Sequence, residues 1–230
     1  MSGKAIGQRR ATLAGEVRGE IERMIVDGEI AAGEKMNELA LSNVMGVSRG
    51  TVREAIRSLA DSGLIDLITN RGAFVHEITL AEVRDLYDLR GAIFAMACAS
   101  AARRVGEGSG SALPQKLLRN IEKMQNAYGN EDTERYYALN IEFHNMLIEG
   151  ADNAKAKTVY DNLVREMHLF RRRGLSIVNN LGRSLQEHIV ISDAVIAGDG
   201  EAARAAAHHH ITSGFARYMH VLENEPKFTP

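Results

Sequence analysis

The sequence predicts a mainly α-helical protein of two domains, with one small β-hairpin in the first. Three observations support this class. Proline occurs only three times and tryptophan is absent, while alanine, leucine and methionine, which favour helices over strands, are common. Apolar residues recur at helical spacing through nearly all of the chain after residue 78. A single hairpin pattern lies at residues 64–78.

Composition and charge limit the compartment and the partners. The 28 basic and 30 acidic side chains give a formal charge of −2, which excludes a polybasic tail protein. One cysteine excludes an intramolecular disulfide, and without an apolar N-terminal segment it predicts a cytoplasmic protein. The longest nearly apolar stretch, residues 92–102, is shorter than the roughly 20 residues that a membrane helix needs. We therefore expect no membrane partner.

The pattern changes near residue 78, which predicts one domain at residues 1–78 and a second at 79–230. Three helical stretches precede the hairpin, whose strands are predicted at 64–68 and 73–78. Thr79 and Glu82 have capping-box spacing, so a long helix should begin there, and Ser184 with Glu187 has the same spacing. The further helices are predicted at 112–128, 132–150, 152–173, 184–198 and 200–223.

Two short helices joined at Gly46 form the most distinctive motif of the first domain. Leu39, Leu41 and Met45 give the first helix an apolar side. Gly46 permits the left-handed backbone that ends this helix, and Ser48 can cap the next one. This spacing is typical of a helix-turn-helix.

The second of these helices predicts contact with DNA. Arg49, Arg53 and Arg57 form a basic stripe on its solvent side. The buried stripe consists of Val52, Ala55, Ile56 and Leu59. The hairpin that follows would supply a wing. An arginine row is more often a solvated helix face, and residues 1–78 hold 10 basic against 11 acidic side chains, so this alternative stays open.

Residues 13–77 resemble the winged-helix DNA-binding domain of the GntR family of bacterial transcription regulators. The resemblance rests on Leu13-Ala14-Gly15-Glu16-Val17-Arg18, Gly33-Glu34-Lys35-Met36-Asn37-Glu38, Gly46-Val47-Ser48-Arg49-Gly50-Thr51-Val52-Arg53-Glu54-Ala55-Ile56 and Arg71-Gly72-Ala73-Phe74-Val75. It implies that DNA is contacted by Ser48, Arg49, Thr51 and Arg53, and by the wing tip at Asn70, Arg71 and Gly72. Leu39 stands where some relatives carry a DNA-contacting arginine.

Histidines on three well-separated helices of the second domain suggest a metal site. His144 shares a helix face with Asn140, His188 lies in the first turn of another helix, and His208 to His210 lie on the last helix. Imidazoles with one oxygen donor suit Zn, Ni, Mn or Fe. Such histidines are more often surface or core residues, and helical phase alone favours His208 over His210 as the inward residue.

Residues 80–222 resemble the FCD domain, the all-helical ligand-binding half of FadR-type GntR regulators. The resemblance rests on Leu86-Tyr87-Asp88-Leu89-Arg90, Asn140-Ile141-Glu142-Phe143-His144, Glu187-His188-Ile189-Val190, Ala197-Gly198-Asp199 and His210-Ile211. It implies a divalent metal bound by Asn140, His144, His188 and His210. Relatives more often carry Asp at position 140 and Glu at position 94, where this chain has Phe94.

A metal with open positions, assisted by Arg90, would bind a small carboxylate effector. Weaker candidates for lining such a pocket are Asn126, Arg165, His168 and Arg172. For His168 and Arg172 we favour a different role, in which they belong to a charged helix end and interact with its C-terminal carbonyl groups.

The two resemblances together predict a metabolite-responsive transcription regulator rather than an enzyme, with repression as its outcome. A homodimer is expected on a pseudo-palindromic operator. The alternative from another class is a helical metalloenzyme that uses His144, His188 and His210, although no general base is evident beside them. A second alternative is a metal-free bundle that binds a larger acyl ligand.

Overall fold

The structure is a computed structural model that describes the backbone of residues 5–110, 112–174 and 181–224, and the side chains of residues 13–110, 112–167 and 181–220. Contacts divide the chain into two compact units. One unit runs to Thr79 and includes Arg165–Arg172. The other comprises Leu80–Val164 and the chain from Arg173 onward. The predicted class, mainly α with one small hairpin, is confirmed.

The first unit has the helix-turn-helix that the sequence predicts. Its elements are α1 (Ala5–Val26), α2 (Glu38–Met45), α3 (Arg49–Ala60), β1 (Ile65–Ile68) and β2 (Gly72–Val75). Gly46 ends α2 with φ 64°, a left-handed conformation that glycine adopts without strain. Ser48 caps α3, because its hydroxyl oxygen accepts a hydrogen bond from the backbone N–H of Thr51.

The apolar face of α3 forms the centre of this unit's core. Val52, Ala55, Ile56 and Leu59 are all buried, as predicted. They pack with residues of the neighbouring elements, chiefly Val17, Ile21, Ile25, Ile30, Met36, Leu41, Leu64, Ile65 and Val75. Leu39 is an exception to the predicted apolar side of α2, because 54% of it is exposed whereas Leu41 is buried.

The wing is a two-stranded antiparallel sheet in which Ile65 pairs with Val75 and Ile68 pairs with Gly72. Asn70, in the connecting turn, has φ 61°, and Gly72 has φ 112°. Asparagine and glycine are the residues that accept such a backbone most readily. Strand β2 is shorter than predicted, ending at Val75 instead of residue 78.

The second unit is built from helices alone in the part of the chain that is described. They are α4 (Leu80–Gly106), α5 (Leu113–Gly129), α6 (Thr133–Gly150), the part of α7 (Ala154–Gly174) outside Arg165–Arg172, α8 (Leu181–Ile196) and α9 (Gly200–Asn224). The largest difference from the predicted ends is at α8, which begins at Leu181 and not at Ser184. The capping box predicted there was wrong because the carboxylate of Glu187 binds His210 and Arg217 instead.

Helix α4 lies at the centre of this unit and packs against α6, α8 and α9. Five of its eleven buried residues are alanine, and these small side chains let the neighbouring helices approach closely. At Gly198, with φ 74°, an added Cβ would lie 3.0 Å from the Cα of Gly106, so the turn before α9 abuts the end of α4. This packing places α6, α8 and α9 around one interior region. None of the described helices is both long enough and apolar enough to cross a membrane.

Candidate DNA interface and candidate metal centre

The N-terminal end of α3 presents the polar groups that the sequence predicts at a DNA interface. The hydroxyl oxygens of Ser48 and Thr51 lie 2.9 Å apart at the exposed first turn. The side chains of Arg49 and Arg53 are 60% and 51% exposed, one turn apart on the same helix. This arrangement brings two cations and two hydroxyls onto one exposed surface.

Glu38, at the start of α2, is a residue that sequence reasoning missed. Its carboxylate accepts two hydrogen bonds from Arg53, at 3.0 Å from Nε and 2.6 Å from Nη2. The guanidinium of Arg49 lies 3.8 Å away. The hydrogen bonds from Arg53 lower the pKa of Glu38, so the carboxylate is ionised. The surface that carries the arginines therefore includes one neutralising charge.

The wing tip places Asn70, Arg71 and Gly72 together in an exposed turn. The guanidinium of Arg71 lies 5.6 Å from the centre of the Phe74 ring, within the range of a cation–π contact. Lys35, which the sequence analysis did not single out, approaches the same ring at 5.9 Å. The wing tip thus carries two cations, Lys35 and Arg71, close to Gly72, which has no side chain.

In the second unit, His144 of α6, His188 of α8 and His210 of α9 converge in the interior. Their candidate ligand nitrogens all lie within 4.8 Å of one another. The Nε2 atoms of His144 and His210 are 3.2 Å apart. This separation is short enough for both nitrogens to bind one divalent ion, since imidazole nitrogens bind such ions at about 2.0–2.1 Å.

His188 provides the strongest evidence that the cluster is a ligand site. It is fully buried, and neither of its ring nitrogens has a hydrogen-bond partner among the described residues. Burial holds the pKa of His188 well below its usual value, so the ring is neutral and keeps a lone pair. Unsatisfied buried polar groups are rare because each costs free energy, and a cation bound to the lone pair would satisfy one of these two nitrogens.

His210 is held by a carboxylate that sequence reasoning did not assign to the site. Its Nδ1 lies 2.7 Å from Glu187 Oε2. Arg217 donates to both oxygens of the same carboxylate, at 2.6 Å and 2.9 Å. Burial would raise the pKa of Glu187, but the hydrogen bonds from His210 and Arg217 outweigh it and lower the pKa to about 2. Burial lowers the pKa of His210, against the opposing effect of Glu187.

His144 is held on its other side by a tyrosine. Its Nδ1 lies 3.1 Å from the hydroxyl of Tyr160, which also accepts a hydrogen bond from Nε of the buried Arg90 at 3.3 Å. Arg90 is therefore connected to the histidine cluster through one hydroxyl group. The ring of Phe94 stacks on His144 with 4.3 Å between the ring centres, which closes this side of the cluster with an apolar surface.

The remaining predicted residues divide between the interior and the surface. Asn140 is buried on α6, one turn before His144. His210 is buried whereas His208 and His209 are exposed, so the choice made by helical phase alone was wrong. Asn126 is exposed and Arg165 partly exposed. The side chains of His168 and Arg172 lie outside the described residues.

An open groove of about 570 Å³ lies between α8 and α9 and leads to Glu187. Its polar lining includes Arg183, Gln186, His209, Ser213 and Arg217. Glu187 therefore lines the groove and also contacts His210 of the histidine cluster.

Comparison with known families and proteins agrees with this architecture. The gntR family of bacterial regulatory proteins matches residues 13–75, and the FCD domain matches residues 85–213. The HTH-type transcriptional repressor RspR of Escherichia coli is 30% identical over 191 residues, which cover 83% of this chain and 82% of that protein. The HTH-type transcriptional regulator YdhC of Bacillus subtilis is 28% identical over 204 residues, or 89% of this chain and 90% of that protein.

Solved structures have the same fold. The Escherichia coli protein McbR/YncC superposes with a TM-score of 0.70 over 91% of this chain and 98% of that protein, at 17% sequence identity. A GntR transcriptional regulator from Rhodococcus superposes with a TM-score of 0.68 over 90% of this chain and 97% of that protein, at 23% identity. The chain belongs to the GntR family of DNA-binding transcriptional regulators, and its second half is an FCD domain.

Proposed function

We propose that this regulator is a cytoplasmic homodimeric repressor that releases a pseudo-palindromic operator in response to a small carboxylate effector. The proposed DNA contacts are Ser48, Arg49, Thr51 and Arg53 of α3 with Asn70, Arg71 and Gly72 of the wing. Support comes from the exposure of both arginines and of the wing tip. Relatives that are named repressors support the direction of control.

The effector site that we propose contains a divalent ion, Zn, Ni, Mn or Fe, bound by Asn140, His144, His188 and His210. The observation that carries it is the buried ring of His188, whose two nitrogens have no hydrogen-bond partner among the described residues and which lies against the rings of His144 and His210. Three nitrogens and an amide oxygen are a ligand set that such ions accept. The ion would supply a positive charge and open positions that bind a carboxylate.

Arg90 is the proposed second partner of the effector. Arg90 is buried, its Nε donates a hydrogen bond to the hydroxyl of Tyr160, and its guanidinium lies 5.8 Å from the centre of the same ring. A guanidinium has five N–H donors, so it can also bind a carboxylate. By linkage, effector and operator must alter each other's affinity by the same factor.

Thermal unfolding with Zn²⁺ and small dicarboxylates tests the effector site. We expect Zn²⁺ to raise the melting temperature of chelator-treated protein, since a ligand at about 100 times its Kd stabilises the folded state by about 2.7 kcal/mol. Succinate and malate should add to this shift only when Zn²⁺ is present. A shift with a long-chain acyl ligand that is independent of Zn²⁺ would instead favour the metal-free bundle.

Glu38 gives a second prediction, concerning the DNA interface. Because its carboxylate must give up Arg53 when phosphates approach, Glu38→Gln should strengthen binding to an unrelated duplex about twofold to fivefold, as expected for a surface ion pair of up to about 1 kcal/mol. Fluorescence anisotropy at two salt concentrations measures this change. Glu16→Gln, an exposed site on α1, removes the same charge elsewhere and should leave the affinity nearly unchanged. Weaker binding by Glu38→Gln would show that Glu38 orients Arg53 for DNA.

A further inference from the structure

We propose that Glu187, held by Arg217, is a positioning residue of the metal centre that orients His210 with a bare Nε2 toward the other two histidines. The inference rests on the proposed metal site and adds a residue that is not itself a ligand. Glu187 precedes His188 on α8, so one turn of this helix would supply one ligand and orient another on α9.

The contact with Glu187 determines which nitrogen of His210 carries the proton. Its Nδ1 lies 2.7 Å from Glu187 Oε2, and an ionised carboxylate can only accept a hydrogen bond. The proton of the neutral ring must therefore be on Nδ1. The other nitrogen, Nε2, then carries no proton and has a free lone pair. That Nε2 is the atom 3.2 Å from Nε2 of His144, on the side where the ligand nitrogens converge.

The carboxylate of Glu187 is itself held in place by Arg217. Arg217 donates one hydrogen bond to each oxygen of Glu187, at 2.6 Å and 2.9 Å, in the two-pronged geometry that resists rotation. The side chains of Glu187 and Arg217 are only 13% and 17% exposed. The orientation of His210 is thus determined by two side chains that are fixed to each other.

His144 differs from His210, because its partner Tyr160 can either donate a hydrogen bond or accept one. The hydroxyl of Tyr160 accepts from Arg90 and can donate to Nδ1 of His144, which then donates from Nε2 to His210. In the alternative tautomer, Nδ1 of His144 donates to Tyr160, and Nε2 of His144 carries a lone pair instead of a proton. His210 keeps one tautomer in both cases because Glu187 cannot donate. Glu187 therefore holds His210 in one tautomer, whereas Tyr160 permits both tautomers of His144.

The test compares Zn²⁺ dissociation constants of the full-length wild type and Glu187→Gln by competition with a chromogenic chelator. The side-chain amide of Gln can donate to Nδ1 and so permit the wrong tautomer, and loss of such a partner typically weakens metal binding about 10- to 100-fold. Arg217→Gln should weaken binding less, since Glu187 still contacts His210. Glu201→Gln, on the exposed first turn of α9, is the matched control and should bind as the wild type does.

A spectroscopic measurement separates positioning from general destabilisation. With Co²⁺ as the probe, we expect the visible absorption bands of Glu187→Gln to shift in energy or intensity relative to the wild type, because the ligand geometry changes. Equal Zn²⁺ affinity and equal Co²⁺ spectra in wild type and Glu187→Gln would overturn the inference and leave the metal site intact. A wild type that binds neither ion would overturn the proposed metal site, and this inference with it.

Discussion

Replacement of His188 by leucine is expected to abolish zinc-dependent stabilisation and yet to leave the metal-free protein at least as stable as the wild type. The two effects have opposite signs because the buried ring has no hydrogen-bond partner among the described residues. A buried unsatisfied polar group costs about 1–3 kcal/mol, and leucine, which is similar in volume, removes that cost. An ordinary hydrogen-bonded core histidine would show the reverse, a clear loss of stability.

The loss of zinc binding in His188→Leu should exceed about 100-fold, since removal of a ligand's partner alone typically costs about 10- to 100-fold. Chemical denaturation of the chelator-treated protein measures the stability, and titration with Zn²⁺ measures the affinity. His208→Leu, an exposed site on α9, is the matched control and should change neither quantity much. Undiminished zinc binding by His188→Leu would place the ion elsewhere. A large destabilisation of the metal-free variant would remove the main observation on which the proposed site rests.

Replacement of Arg53 by alanine is expected to produce the largest loss of operator affinity among single changes on α3. A direct arginine contact to DNA contributes about 1–3 kcal/mol, so the expected loss is about 5- to 150-fold. Arg53→Ala should exceed Arg49→Ala because it also leaves the carboxylate of Glu38 without its bidentate partner on the surface that faces phosphate. The double variant Glu38→Gln with Arg53→Ala should recover part of the difference.

Operator binding by anisotropy, with the salt dependence of each variant, distinguishes the possible roles of Arg53. A phosphate contact would weaken binding to all sequences alike and lower the salt slope, whereas a base contact would relax discrimination at one position. Arg204→Ala removes the same charge from α9, where the side chain is 44% exposed, and should have little effect. Equal affinities for wild type and both α3 variants would refute the proposed interface.

Local patterns in the sequence were sufficient for the architecture. The helix-turn-helix followed from the spacing around Gly46 and Ser48, and the structure shows the left-handed residue and the cap that this spacing predicts. Helical periodicity and caps depend on residues within about four positions of one another, and such information is present in any short segment. The capping box predicted at Ser184 was wrong because the partners of Glu187 are not local. Glu187 bonds to His210 and Arg217, which are 23 and 30 positions away.

The histidine cluster shows both the value and the limit of sequence reasoning. Family resemblance selected His210, whereas helical phase favoured His208, and the structure buries the former and exposes the latter. Phase fails on α9 because the helix packs against both α4 and α8, so no single apolar line defines its interior side. Tyr160, which supports His144, had no recognisable signal, since it lies 70 residues from Arg90 and 16 from His144.

The sequence alone therefore determined the mainly helical class, the winged helix-turn-helix, the family and the candidate ligands, because these depend on short-range spacing and on motifs. Only the tertiary structure decided which side chains contact the histidines and which acid pairs with the arginines of α3. The physical reason is that a hydrogen bond depends on the distance between two atoms in space. The packing of distant helices sets that distance, and no periodicity along one helix encodes it.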